Sequence, residues 1–130
     1  MLNEHVIKVL NGSLWELATC AAGEPNVVPV GFKTVSEDGK LVIGDVFMET
    51  TMKNILANGR AAVSAFDSET KEGYQVKGAA VYVTEGPVVD ALNRAAEEKI
   101  GGRLHAKGAV ILTPEKVIVT TPGPDNKKVL

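Results

Sequence analysis

Cysteine is nearly absent from this sequence. Cys20 is the only one among 130 residues, so no intramolecular disulfide and no cysteine-built zinc site can form. Its place in an apolar strand reads as a small core residue rather than a nucleophile, which needs an electropositive, partly exposed setting. There is also no run of Lys and Arg, and 14 basic residues face 16 acidic ones for a net charge of −2. A nucleic-acid partner, which calls for a basic face that displaces counterions, is therefore not indicated. No apolar run is long enough to span a bilayer, and the opening MLNEHVIKVLNG lacks the layout of a signal peptide. Together these absences give the expectation of a cytoplasmic protein with no membrane partner.

Several chemical signatures are missing as well. The sequence holds no P-loop, no Gly-x-Gly-x-x-Gly dinucleotide fingerprint and no Gly-x-Ser-x-Gly nucleophile elbow. His5 and His105, the only two histidines, do not stand in a metal-ligand spacing and read as surface residues, so no metal site is expected. Asp and Glu are scattered, and nothing suggests a paired-carboxylate hydrolase.

What is present is an ordinary globular balance, 45% hydrophobic and 23% charged. A chain of this length suits one compact domain over 1–130 that buries roughly 65–70% of its unfolded surface. Residues 122–130 form a polar, turn-rich tail. Residues 3–12 read as a helix capped by Asn3, with Val6, Val9 and Leu10 on one face. A strand over 14–21 leads through a Gly23-Glu24-Pro25 turn into a longer strand over 26–36. There Val28, Val30 and Phe32 alternate with Pro29, Gly31 and Lys33. Pro29 cannot donate to a ladder, which places this strand at an edge or a bulge. Glu37-Asp38-Gly39 signals a hairpin into Leu41-Val42-Ile43.

Residues 50–58 read as a second helix with Met52, Ile55 and Leu56 at helical spacing, stopped by Asn58-Gly59. Strands over 61–67 and 73–84 follow. In the second, Tyr74 and Val76 share a face opposite Gln75 and Lys77. The apolar parity changes beyond Gly78, as at a barrel corner. Gly86-Pro87 opens a third helix with Val88, Leu92, Ala95 and Ala96 as its stripe, and Gly101-Gly102 ends it. Strands over 109–113 and 117–121 are split by Pro114-Glu115-Lys116. Turn-joined strands with short helices favour an antiparallel barrel over a doubly wound sheet.

One segment suggests a ligand. In GDVFMETTMKNI, residues 44–55, a buried strand ends and a helix starts near Thr50 or Thr51. The first helical amides lack intrahelical partners and carry the positive end of the dipole. With two threonine hydroxyls and the Lys53 ammonium they form a set that suits a phosphate. A routine threonine cap beside a solvated lysine uses the same residues, so the chemistry alone leaves both readings open.

The order and spacing of LATCAAGEPNVVPVGF (17–32), GKLVIGD (39–45), TTMKNILANGRAAVSAF (50–66) and GYQVKGAAV (73–81) resemble the FMN-binding split barrels related to pyridoxamine 5′-phosphate oxidase. The resemblance spans roughly residues 14–120. It implies a mainly β fold, an antiparallel split β-barrel of Greek-key type with short peripheral helices. It also implies a homodimer holding FMN at its interface. By position, the phosphate would lie near Thr50, Thr51 and Lys53. Val28, Pro29, Val30 and Gly31 would line the flavin, with Gly31 allowing close approach. Asp45, Val46 and Phe47 would flank the ring. Gln75 and Lys77 would project from a facing strand toward the partner's flavin, or else form an exposed strand face.

Where many such proteins carry a basic residue in the phosphate loop, this sequence has Thr50-Thr51, leaving Lys53 to supply the charge. Members that oxidise pyridoxamine phosphate carry an additional C-terminal segment with Arg and His. Here TPGPDNKKVL stands instead, so that activity is not expected. The resemblance thus implies an FMN flavoprotein, an oxidoreductase or electron-transfer protein in which the cofactor carries the chemistry. No acid or base is assigned. Two alternatives keep the fold. One exchanges FMN for deazaflavin F420 or for haem, the latter requiring His5 or His105 on the iron. The other is a non-enzymatic flavin store or sensor.

Overall fold

The computed structural model describes residues 2–102 and 104–130. Helix α1 (Glu4–Gly12) precedes strands β1 (Trp15–Ala21), β2 (Glu24–Val30), β3 (Lys33–Val35) and β4 (Leu41–Asp45). Helix α2 (Thr50–Asn58), strands β5 (Arg60–Phe66) and β6 (Gly73–Val83), helix α3 (Pro87–Ile100) and strand β7 (Gly108–Val119) complete the chain. The seven strands form one antiparallel sheet in the order β2-β1-β5-β6-β7-β4-β3, curled into the half-barrel of a split-barrel fold.

The Asn3 side chain accepts from the Val6 amide at 3.0 Å and starts α1. At the other end of the helix, the Trp15 indole donates to the orphan Leu10 carbonyl at 2.7 Å. Val6, Val9 and Leu10 then plug the sheet's concave side with Trp15, Leu17, Leu41, Ile43, Val63, Val76, Val110, Leu112 and Val117. Complete burial of each such side chain contributes about 1.5–3 kcal/mol.

Strand parity decides what sits in this core. On β1, Trp15, Leu17 and Thr19 point inward while Glu16 and Cys20 face out. Cys20 is therefore exposed, not the core residue expected from its apolar neighbours. The single strand expected over 26–36 is two, β2 and β3, broken at Gly31-Phe32 where the chain passes from one free edge of the sheet to the other. Pro25 and Pro29 both lie on β2, which is an edge strand as Pro29 requires.

The strands expected over 109–113 and 117–121 are one continuous strand, β7. The register shift opposite Lys77 and Gly78 accommodates Pro114 without ending the ladder. Gly78 is required at that bulge, because a Cβ there would overlap the Thr113 carbonyl and lie 3.2 Å from the Glu115 nitrogen. The inward parity of β6 does not change at Gly78, since Val76 and Ala80 are both buried. Val83 faces the other side, where α3 covers the sheet.

Helix α2 buries Thr51, Asn54 and Ile55 rather than an apolar stripe, and Leu56, expected on that stripe, is exposed. Gly59, in the left-handed region at φ 68°, closes it. Helix α3 packs Val89, Leu92 and Ala96 on the convex face, against Val42, Ala106 and Ala109. Asn93 fixes it by accepting from the Ala106 amide at 2.8 Å and donating to the Ala106 carbonyl at 3.2 Å. The tail beyond 122 doubles back on β7. Val119 donates to the Lys128 carbonyl at 2.9 Å, and Ile118 bridges Val129.

Candidate functional site

The split in the barrel is a groove of about 900 Å³, within the range of small-molecule sites. One wall is β2 and the break that follows it, Val28 to Phe32. The second is the loop after β4, through Val46, Phe47 and Met48. The third is the face of α3 carrying Ala91, Leu92, Ala95 and Lys99. Phe32 forms part of the floor, its ring lying where a side chain at Gly44 would be. At Gly31 a Cβ would meet only the Leu14 side chain, at 3.8 Å, so this backbone is open to close approach.

Of the residues expected to touch a flavin ring, Val28, Pro29, Val30, Gly31, Val46 and Phe47 line this one groove. Asp45 does not. It is fully buried, and its carboxylate accepts from the Met48 amide at 2.7 Å and from the Tyr82 hydroxyl. Burial, with the Asp45 carboxylate alongside, holds the Tyr82 phenol well above its usual pKa. Gln75 and Lys77 project from the convex face, paired across β5 with Ser64 and Ala62 and across β7 with Ile118 and Lys116. They do not line the groove of their own chain.

Thr50, Thr51 and Lys53 share the first turn of α2, beyond Met48. Thr51 is buried, and its hydroxyl accepts from Asn26 at 3.0 Å. Thr50 and Lys53 are exposed, and Lys53 pairs with Glu49 at 3.5 Å. No side chain caps the amides of this turn. The amide of Asn26 also reaches Thr19 at 3.3 Å, and Asn54 donates to the same hydroxyl at 3.0 Å. This cluster seats the α2 turn on the strand that lines the groove, and sequence reasoning missed it. The available signal was parity: Thr19 and Asn26 are polar residues on the inward face of apolar strands.

Lys33 opens β3 at the groove with its ammonium 5.0 Å from the Trp15 ring centre, and burial lowers its pKa. His5 and His105 are exposed. Among the described residues no three His, Cys, Asp or Glu side chains are grouped to hold a metal. No helix among them is long and apolar enough to cross a membrane.

The profile described as pyridoxamine 5′-phosphate oxidase matches residues 13–123. An uncharacterized protein of Methanocaldococcus jannaschii is 31% identical over 132 residues, covering 99% of this chain and 87% of its own length. The crystal structure of HupZ from Group A Streptococcus superposes with a TM-score of 0.84 at 25% identity, covering 96% of this chain and 98% of that one. An FMN-binding protein of Syntrophomonas wolfei superposes with a TM-score of 0.77 over 91% of this chain and 85% of its own. At 13% identity that likeness is one of fold.

Proposed function

Because the chain belongs to the pyridoxamine 5′-phosphate oxidase family, we propose that it binds FMN in the groove at the barrel split. In this reading Val28 to Gly31 and Val46-Phe47 contact the ring, and the phosphate sits on the first turn of α2 at Thr50, Thr51 and Lys53. One observation carries the reading. Strand β2 joins both halves of such a site, with Val28 to Val30 on the groove and Asn26 bonded to Thr51 at 3.0 Å. The residues present fit the group: apolar walls for a planar ring, an open glycine, and a helix start whose amides lack a side-chain cap. When bound, FMN supplies the redox chemistry of an oxidoreductase or electron-transfer protein, while the chain holds and orients it.

A homodimer is part of the same proposal. The convex face exposes Val27, Phe66 and Val81, side chains that a partner would cover. Gln75 and Lys77, on that face, would then reach the partner's cofactor.

The test is uptake of flavin followed by visible absorption through desalting. The protein is expected to retain FMN, and to lose it on combined substitution of Thr50, Thr51 and Lys53 while its weaker hold on riboflavin is unchanged. A protein that takes up no FMN refutes the proposal, and equal loss of both flavins moves the phosphate elsewhere. Reduction of the bound flavin by NADH or NADPH separates an enzyme from a store. Light scattering is expected to give about twice the 13.7 kDa of one chain.

A further inference from the structure

The loop after β4 presents Phe47 with 87% of its surface exposed. A phenyl ring left in water forgoes burial worth about 1.5–3 kcal/mol, and a slack loop would let it fold down. This loop is not slack. The Asp45 carboxylate turns back on the Met48 amide at 2.7 Å, and the Asp45 carbonyl accepts from the Lys107 amide at 2.8 Å. The Lys107 ammonium donates to the Met48 carbonyl at 2.9 Å. Phe47 is therefore bracketed on both sides by residues tied to the start of β7.

Beneath the loop, the second carboxylate oxygen of Asp45 accepts from Tyr82. Position 108 is glycine, and a Cβ there would fall on the Tyr82 hydroxyl and lie 2.9 Å from the Val83 carbonyl oxygen. Burying a carboxylate is costly and is tolerated only where its hydrogen bonds are made. A fully buried Asp45 that spends both oxygens on one turn and one phenol is better explained by placement of that turn than by stability.

We infer that Tyr82 and Lys107 are positioning residues for the groove. Acting through the Asp45 turn, they hold Phe47 up as a preset wall for a planar aromatic ligand. The identity of that ligand rests on the FMN reading; the bracing of Phe47 does not.

Two measurements test this, one in the absence of cofactor. Chymotrypsin cleaves after exposed phenylalanine only when the loop can open, so cleavage after Phe47 is expected to be slow. It should speed up about tenfold or more in Tyr82→Phe or Lys107→Met, because cleavage follows the population of the open loop. Lys107→Met removes only a surface contact and covers the case in which Tyr82→Phe fails to fold. Cleavage as slow in the folded variants as in the parent overturns the proposal.

The second measurement is a double-mutant cycle on FMN affinity, read by flavin fluorescence quenching. Tyr82→Phe and Phe47→Ala are each expected to weaken binding about three- to tenfold. The double variant should be no weaker than Phe47→Ala alone, since Tyr82 acts through the ring. Losses that multiply overturn the proposal. If no FMN binds to the parent protein while chymotrypsin behaves as expected, the cofactor assignment fails and the positioning role stands.

Discussion

The Asn26 side-chain amide donates to the Thr51 hydroxyl at 3.0 Å, joining an edge strand to the first turn of a helix. The same amide reaches Thr19 at 3.3 Å, so one side chain ties β1, β2 and α2 together. It sets the turn carrying Thr50 and Lys53 against β2, beside the Asn54–Thr19 bond that ties α2 to β1.

Asn26→Ala should therefore destabilise the protein by about 1–3 kcal/mol, the cost of leaving the buried Thr51 hydroxyl without its donor. Urea unfolding reads this directly. The same variant is expected to weaken FMN binding even though Asn26 lies outside the groove, and unchanged affinity would show that the α2 turn keeps its place unaided.

Glu49 puts a carboxylate 3.5 Å from the Lys53 ammonium at the helix start proposed for the phosphate. A phosphate has to compete with that carboxylate. Glu49→Gln should raise FMN affinity about two- to fivefold at low salt and less at high salt, with riboflavin unaffected. A fall in FMN affinity would mean that Glu49 is holding Lys53 in place for the ligand.

At the β6 bulge, Gly78→Ala sets a methyl group against the Thr113 carbonyl. The backbone of β7 must shift, at a cost of about 1–3 kcal/mol. The urea midpoint should fall with its slope preserved. A midpoint equal to the parent's would show that the bulge has room to spare.

Stability at high pH should follow Tyr82. Its phenol is held above the ordinary value of 10.0 by burial first and by Asp45 second. Above that value the unfolded chain releases a proton that the folded chain keeps, so the stabilising contribution is whole below pH 10 and falls as pH rises. The loss approaches about 1.4 kcal/mol per pH unit for one such group. Urea midpoints measured between neutral and strongly alkaline pH should show this decline. In Tyr82→Phe it should be shallower.

Much of the architecture was legible because it rests on local rules. Asn3 caps where a cap belongs, Asn58-Gly59 stops α2, Pro87 opens α3, and Pro29 leaves its strand only an edge or a bulge, of which the sheet takes the edge. Cys20 and Leu56 lie outside the core expected for them because hydrophobicity alone does not carry tertiary parity. Cys20 alternates outward behind Thr19, and α2 buries Thr51 and Asn54 because Asn26 and Thr19 offer them partners. Leu56 is left in water as a result. The merging of two expected strands into β7 has a similar origin. Pro114 reads as a breaker, yet the glycine opposite gives it space. In the groove, Val28 to Gly31 and Val46-Phe47 could be expected together, whereas the supports beneath them could not. Tyr82, Lys107 and Asp45 meet only once β4, β6 and β7 lie side by side, and no short-range pattern announces that meeting.

The last of the seven strands in sequence is one of the innermost. Strand β7 lies between β6 and β4, and its Ile111 and Leu112 pair with Val42 and Leu41 from the first half of the chain. On a translating ribosome, the β3–β4 hairpin must therefore wait, with an apolar flank uncovered, until β7 has been made. A nascent chain arrested before residue 108 would hold two half-sheets with no strand to join them, an easy target for chaperones and proteases.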